Sequence, residues 1–227
     1  MLEVFYIYMP STIRYEEVSI GLRKWVSEET CREIALYRSE RVKLFRLTGE
    51  ALVRYVLNKY WHIAPFSYRI LRQEKGKPYL EGVSDLFFNI SHSGDYLVCA
   101  FSDRVVGIDI EKRQKARIEV ASRFFHPLEI EQLKSVSVER KDQLFYDFWS
   151  VKESFLKYTG TGLTRPLNSF QVTFEERGVF LHEGDKKLPL EVRECPVDHR
   201  YSCFVCGRQK EPPHVQEFLI SALSRDE

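Results

Sequence analysis

The chain has 227 residues, of which 44% are hydrophobic, and it carries 34 lysines and arginines against 33 aspartates and glutamates. This length and composition suffice for one large domain or two small ones with a buried core. The near balance of charge excludes an overall field that would recruit nucleic acid or an anionic membrane, so any anion site must be local.

The first residues, MLEVFYIYMP, read as a strand because they lack the basic start, long apolar run and cleavage site of a signal peptide. No apolar run approaches the length that spans a bilayer. Five cysteines without a framework spacing predict a reduced, cytoplasmic protein. Cys203 and Cys206 form a CxxC pair, but they lie in an apolar strand without a second pair, which disfavours a metal or redox site.

In the first half, the spacing of hydrophobic residues predicts helices followed by strands. From Ser27 to Trp61 the hydrophobic spacing is helical and predicts a long helix or a broken pair. FSYRILRQ alternates like a strand, and EKGKPYLEG is turn material. The stretch LFFNISHSGDYLVCAFSDRVVGIDIE then contains three strands separated by short turns, which predicts an antiparallel meander.

The second half repeats this order. IEVASRFF and PLEIEQLK are predicted short helices, and KDQLFYDFWSVKESFLKYTG is a predicted long helix that ends at Gly160. Strands follow at SFQVTF, GVFLHE, PLEVRE and YSCFVCG. The predicted fold class is α+β, with two halves at residues 1–103 and 104–227, each a helix packed on an antiparallel sheet.

The stretch GIDIE places two carboxylates on one face of a strand. Side chains alternate along a strand, so Asp109 and Glu111 share a face with Gly107. Because glycine has no side chain, this face leaves room for something to approach. Two acids on an edge strand are more often solvated than functional, so this pair alone does not establish a site.

The long predicted helix of the second half adds further charged groups. Lys152 lies near the middle of its apolar side, Glu153 lies at the edge, and Lys157 follows four residues later. The simplest interpretation is a surface pair of Glu153 with Lys157 and a Lys152 that snorkels to solvent. With the strand acids, however, these residues supply the three carboxylates and two lysines that a magnesium-bridged phosphate site requires.

Four motifs in order, GKPYL, FNISHSG, GIDIEK and FWSVKESFLK, resemble those of the Sfp-type 4′-phosphopantetheinyl transferases, from about residue 41 to residue 174. The resemblance implies two similar α+β halves with coenzyme A bound in the cleft between them. It also implies transfer of the phosphopantetheine arm of coenzyme A to a serine of an apo acyl or peptidyl carrier protein. Adenosine 3′,5′-bisphosphate would be released, and Mg²⁺ would be the metal cofactor.

The resemblance also assigns site residues. The implied magnesium ligands are Asp109, Glu111 and Glu153. The implied contacts of coenzyme A are Ser91 and His92 at its phosphates, Gly76, Lys77 and Pro78 beside the adenine, and Lys157 at the pyrophosphate. A basic residue of the first long helix would contact the 3′-phosphate, and we choose Arg46, with Lys43 or Arg32 as alternatives. Glu153 is also the candidate acceptor of the serine proton, directly or through a metal-bound water, and Lys157 would aid departure of the bisphosphate.

Two other functions stay open from the sequence. A metal-dependent nuclease would use acids on a strand together with a Lys-Glu pair, but it predicts a basic face that the near-neutral charge does not favour. A non-catalytic module that binds coenzyme A or a carrier predicts binding without turnover. For the transferase, the expected partners are coenzyme A and apo carrier domains of fatty-acid, polyketide or peptide synthases, without nucleic acid or membrane. Two halves in one chain favour a monomer.

Overall fold

The computed structural model describes residues 1–224. The first half contains β1 (Leu2–Tyr8), α1 (Tyr15–Leu22), α2 (Glu28–Leu36), α3 (Glu40–Trp61), β2 (Arg69–Arg72), β3 (Pro78–Glu81), β4 (Phe87–Ser93) and β5 (Tyr96–Ser102). The second half begins with β6 (Val106–Lys112), α4 (Ile118–Phe124), α5 (Pro127–Ser135) and α6 (Val138–Thr159). It continues with β7 (Gln171–Glu175), β8 (Gly178–Glu183), β9 (Lys186–Lys187), β10 (Glu191–Glu194), β11 (Tyr201–Gly207), β12 (His214–Glu217) and α7 (Ile220–Ser224).

Two sheets, each covered by a long helix, confirm the predicted α+β fold class. The first sheet has the strand order β12-β1-β5-β4, and the second has the order β6-β11-β10-β8-β7 with β9 beside β8. Buried apolar residues of α3 share a core with β1 and β5, and those of α6 share a core with the second sheet. Strands β2 and β3 form a separate two-stranded sheet, and Leu80 of β3 packs into the core of the first half.

The boundaries of the long helices follow their capping residues. The helical region from Ser27 to Trp61 is a broken pair, since the hydroxyls of Ser27 and Ser39 cap α2 and α3 by accepting from backbone N–H groups three residues on. Helix α6 ends where predicted, because Gly160 adopts a left-handed conformation with φ of 70°. Local sequence therefore sets where these helices start and stop.

The predicted antiparallel meander is correct for two strands and wrong for the third. Strands β4 and β5 form the hairpin, but β6 leaves this sheet and pairs antiparallel with β11. The apolar face of β6, which carries Val106, Ile108 and Ile110, instead packs against apolar residues of the first sheet. The backbone N–H of Ile108 donates to Oδ1 of Asn89 at 2.8 Å, so a side chain of β4 replaces a strand-to-strand hydrogen bond here.

The end of the described chain returns to the first half. Strand β12 runs parallel to β1, and the Nε1 of Trp25 donates to the backbone oxygen of Leu223 at 3.0 Å. The first sheet therefore contains one parallel pair that the sequence analysis did not predict. The proposed division into residues 1–103 and 104–227 stays a prediction.

Lys152 is completely buried, so the prediction that it snorkels to solvent is wrong. Its Nζ lies 2.8 Å from Oε1 of Glu129, which is also fully buried, and donates to the backbone oxygens of Leu167 and Phe170 at 2.8 Å each. Glu129 in turn accepts from the backbone N–H of Val172 at 2.7 Å. This buried pair ties α6 to α5 and to the start of β7, and it lies outside the cleft described below.

Replacing Lys152 with alanine should lower the free energy of unfolding by about 3 kcal/mol, because it leaves the Glu129 carboxylate buried without its charge partner. Urea denaturation would measure the loss. Lys134→Ala, which removes an exposed lysine of α5, is the matched control and should change stability by less than about 0.5 kcal/mol. A loss as small as that of the control would show that the buried pair contributes little.

Candidate active site

A cleft opens where β4, β6 and α6 meet, and it consists of two adjoining cavities of about 370 and 260 Å³. The cavities share Ile90, Glu153 and Lys157. The larger cavity is also lined by Ser91, His92, Asp109, Glu111 and Trp149. The smaller one is also lined by Arg72, Lys75, Gly76, Lys77, Pro78, Asn89, Leu156, Gly160 and Gly162. The cleft thus brings together most residues that the sequence analysis selected.

Helix α6 fills the space that Gly107 leaves on β6. A Cβ atom at Gly107 would collide with backbone atoms of Ser154 and Tyr158, so only glycine permits this close contact. The hydroxyl of Ser150 also donates to the backbone oxygen of Asp109 at 2.9 Å. The group that approaches Gly107 is therefore a helix, and its contact with β6 places Glu153 beside the strand acids.

Two serines of β4 hold the two acids of β6. The hydroxyl of Ser91 donates to Oδ1 of Asp109 at 3.0 Å, and that of Ser93 donates to Oε2 of Glu111 at 2.9 Å. Ser91 and Ser93 are two residues apart on β4, as Asp109 and Glu111 are on β6. Because side chains alternate along a strand, both serines point to the same side. The sequence analysis missed Ser93, although its position two residues after Ser91 was a usable signal.

Lys157 forms its ion pair with Asp109. The Lys157 Nζ lies 2.7 Å from Oδ1 of Asp109 and donates to the hydroxyl of Ser91 at 2.7 Å. The simplest sequence interpretation, a surface pair of Glu153 with Lys157, therefore does not describe this lysine. Burial, and then the negative charge of Asp109, raise the pKa of Glu153. Its carboxylate shares the cleft with the other acids.

His92 lines the larger cavity, where its ring stacks on an aromatic side chain that also contacts an arginine. Its imidazole stacks on Phe45 with 4.3 Å between ring centroids, and the guanidinium of Arg41 lies 4.4 Å from the Phe45 ring centroid. Burial, and then the positive charges of Lys157 and Arg41, lower the pKa of His92. An anion bound here would oppose that effect of the positive charges.

The turn at Gly76, Lys77 and Pro78 forms one wall of the smaller cavity. Gly76 has a φ of 84°, which favours glycine. The Lys77 Nζ donates to the backbone oxygens of Val106 and Tyr158 at 3.1 Å each, and burial lowers its pKa to about 8. Lys77 therefore links the turn to β6 and α6, and the turn at residues 76–78 lines the smaller cavity.

Of the three candidates for the 3′-phosphate contact, Arg46 and Lys43 lie on α3 and Arg32 lies on α2, and none of the three lines either cavity. Burial lowers the pKa of both His92 and Arg72, and the charge of Arg46 lowers both further. Lys43 forms an ion pair of 2.9 Å with Glu40 of the same helix, and Arg46 forms one of 2.9 Å with Glu33 of α2. The choice of Arg46 over Lys43 and Arg32 therefore stays a prediction.

Comparison with known proteins identifies the family. Residues 15–104 match the family described as 4′-phosphopantetheinyl transferase, N-terminal, and residues 105–206 match the 4′-phosphopantetheinyl transferase superfamily. The chain is 33% identical over 213 residues to 4′-phosphopantetheinyl transferase Sfp of Bacillus subtilis (strain 168), which covers 93% of this chain and 95% of that one. The chain belongs to the Sfp-type 4′-phosphopantetheinyl transferases.

Two further relatives support this membership. A second 4′-phosphopantetheinyl transferase from Bacillus subtilis is 35% identical, over 91% of this chain and 92% of the relative. The 4′-phosphopantetheinyl transferase gsp of Aneurinibacillus migulanus is 31% identical, over 91% of this chain and 86% of the relative. The chain is therefore an enzyme, and the alternatives of a nuclease and of a non-catalytic module are set aside.

The carboxylates of this transferase fit a hard cation. The Oδ2 atom of Asp109 is buried and has no hydrogen-bond partner, which is unusual for a carboxylate oxygen. Within residues 1–224, no three His, Cys, Asp or Glu side chains are already grouped as a metal site. Proteins usually hold Mg²⁺ by one or two carboxylates together with phosphates of the substrate. The site therefore fits a cation that binds with a phosphate substrate, and the assignment of Asp109, Glu111 and Glu153 as its ligands stays a prediction.

In the metal-free transferase, Glu111 should make stability depend on pH. Burial, and then the charge of Asp109, raise the pKa of Glu111 from 4.5 to about 7. The folded state therefore holds this proton more tightly than the unfolded chain. Its contribution to stability is fully present below pH 4.5 and is lost as the pH rises through about 7.

After allowance for solvent screening, that contribution should be about 2 kcal/mol. Urea denaturation at about pH 5 and about pH 8, compared between wild type and Glu111→Gln, would measure it. The variant should lose less stability between the two pH values than the wild type. Identical losses in the two proteins would contradict the raised pKa.

Within residues 1–224, no helix of this transferase is both long enough and apolar enough to cross a bilayer. The location in the cell and the oligomeric state stay predictions.

Proposed function

We propose that this transferase moves the 4′-phosphopantetheine arm of coenzyme A to a serine of an apo carrier protein and releases adenosine 3′,5′-bisphosphate, with Mg²⁺ as cofactor. The observation that carries the proposal is the contact of Lys157 with Asp109, which puts a cation and three acids in one cleft. Phosphoryl transfer needs this combination, because charge on the transferred and departing phosphates must be neutralised.

The two cavities fit a long anionic substrate. The larger cavity contains the carboxylates and His92, and the smaller one is walled by the turn at residues 76–78. Because Glu153 and Lys157 line both cavities, a molecule that occupies both would pass directly beside them. We therefore place the pyrophosphate at Lys157, the adenosine in the smaller cavity and the phosphopantetheine arm toward the larger cavity.

Asp109, Glu111 and Glu153 would hold the magnesium ion, which when bound would neutralise charge on the pyrophosphate oxygens. Lys157 would donate to an oxygen of the departing bisphosphate. The hydroxyl of Ser91 accepts from Lys157 and donates to Asp109, so it keeps the ammonium at the junction of the two cavities.

Glu153 is the proposed acceptor of the proton from the carrier serine. Its raised pKa makes it a stronger base than an ordinary glutamate. The serine oxygen would form a bond to the β-phosphorus while the bond from that phosphorus to the bridging oxygen breaks. The serine proton would pass to Glu153, and the electron pair would leave with the bisphosphate.

Incubation of the protein with coenzyme A, Mg²⁺ and an apo carrier domain, followed by mass spectrometry of the carrier, tests the proposal. The carrier should gain the mass of one phosphopantetheine group. A carrier whose acceptor serine is replaced by alanine should stay unmodified, and so should a reaction that contains a chelator. An apo carrier that keeps its mass in the complete reaction would contradict the proposed function.

A further inference from the structure

We infer that Phe45 is a positioning residue for His92. Its ring supports the imidazole at the larger cavity, and Arg41 holds Phe45 in place, so that His92 meets a substrate phosphate already ordered. The inference rests on the proposed function and deepens it, since it names the side chains that support one of the expected phosphate contacts. Phe45 and Arg41 line neither of the two cavities, so both act through His92.

The imidazole of His92 lies flat on the ring of Phe45. The two ring centroids are 4.3 Å apart, and the ring planes differ by 12°. Phe45 is only 6% exposed, whereas His92 keeps exposed surface and lines the larger cavity. A parallel stack fixes the plane of the imidazole and leaves both nitrogens at the ring edge, where an N–H group can donate to a phosphate oxygen.

Arg41 holds both the Phe45 ring and the turn that follows His92. Its guanidinium carbon lies 4.4 Å from the Phe45 ring centroid, which is a cation–π contact. Its Nη2 donates to the backbone oxygen of Gly94 at 2.7 Å and forms an ion pair of 3.4 Å with Oδ1 of Asp95. One side chain of α3 therefore fixes the backbone just beyond His92 as well as the ring on which the imidazole stacks.

The stack joins helix α3 to strand β4. Arg41 and Phe45 are four residues apart on α3, so their side chains lie on the same face of the helix. His92 belongs to β4 and follows Ser91, whose hydroxyl accepts from Lys157. The position of α3 on β4 thus decides where the imidazole lies relative to the lysine that we place at the pyrophosphate.

An imidazole that is ordered before binding should favour the binding of coenzyme A. A free side chain that becomes immobilised on binding weakens affinity by about two- to tenfold. Without the ring of Phe45, the substrate would have to order His92 itself. Lys157 and the three carboxylates would stay as they are, so the loss should appear in KM and not in kcat.

A double-mutant cycle tests the pair. Phe45→Leu in the wild-type background should raise the KM for coenzyme A about fivefold and change kcat by less than about twofold. In the His92→Ala background the same change should have no further effect, because the group that Phe45 supports is then absent. Independent effects of the two changes, or an unchanged KM for either single variant, would show that Phe45 does not act through His92.

Phe88→Leu is the matched control. Phe88 lies on the same strand as His92, is 4% exposed and stacks on Phe101 with 6.2 Å between ring centroids, but it lines neither cavity. Its replacement removes the same volume from the same core and should leave the KM within about twofold of wild type. Circular dichroism should show that the variants are folded. If Phe45→Leu does not fold, Phe45→Met takes its place in the cycle, since its flexible side chain fills core space without a flat ring.

Calorimetric titration with coenzyme A, without a carrier, measures binding apart from turnover. Phe45→Leu should raise the Kd about fivefold in the wild-type background and leave it unchanged in the His92→Ala background. If the wild type is active but the two changes act independently on the Kd, the inference fails and the proposed function stands. If the wild type transfers nothing from coenzyme A, the proposed function fails, and the inference fails with it.

Discussion

Replacing Asp109 with asparagine should lower the rate of carrier modification by about a thousandfold or more, since the change removes charge where phosphate charge must be neutralised. Asp109 is only 3% exposed and bonds both Lys157 and Ser91. The amide retains the size of the side chain but cannot hold a cation as a carboxylate does. It also leaves Lys157 without its counter-charge, so the lysine stays available to the pyrophosphate. Coenzyme A binding should therefore change less than turnover does. Single-turnover assays with mass detection of the carrier would measure the rate.

Asp103→Asn is the matched control for this prediction. Asp103 also forms an ion pair, at 3.3 Å with the N-terminal ammonium, but it lies in the turn before β6 and outside both cavities. Its variant should modify the carrier at close to the wild-type rate. Circular dichroism should show that both variants are folded. A folded Asp109→Asn protein with near-normal turnover would remove Asp109 from the reaction.

Glu153→Gln should lose about as much activity as Asp109→Asn, about a thousandfold, because it removes both a cation ligand and the proposed base. Without metal, however, it should be as stable as wild type or slightly more stable. Burial and the charge of Asp109 raise the pKa of Glu153, which means that its ionised form is unfavourable in the folded protein. The neutral amide removes that repulsion. The variant should also lose much of the stabilisation that Mg²⁺ and coenzyme A together give wild type.

Thermal melting with and without Mg²⁺ and coenzyme A, beside the carrier-mass assay, would test this prediction. Glu139→Gln, in the exposed first turn of the same helix, is the control and should keep both activity and the ligand-induced shift in Tm. A Glu153→Gln protein that modifies its carrier at a rate close to that of wild type would contradict the three-carboxylate site.

Local geometry let the sequence predict much of this site. Alternation along a strand depends only on the backbone, so the shared face of Asp109 and Glu111 could be deduced from their spacing. The start of the first helical region at Ser27 and the end of α6 at Gly160 depend on capping residues within a turn of the boundary, and both were predicted. The break before α3 at Ser39 was left open. The order of four motifs then indicated the family, which the comparisons confirmed.

Tertiary structure decided which surfaces meet, because that choice depends on the whole set of apolar faces to be buried. The short turn before β6 predicted pairing with β5, but the strand stacks on the first sheet and pairs with β11 instead. The helical wheel placed Lys152 on the apolar side of α6, and only the packing of α5 against it showed that Glu129 is its partner.

The same reason explains the contacts within the cleft. Lys157 had two candidate partners, its helix neighbour Glu153 and an acid on another element, and spacing along the chain favoured the neighbour. The close approach of α6 to Gly107 brings the lysine to Asp109 instead. The sequence by itself thus determined the chemical groups available to the site. The packing of helices on the two sheets decided which of these groups lie close enough to interact electrostatically.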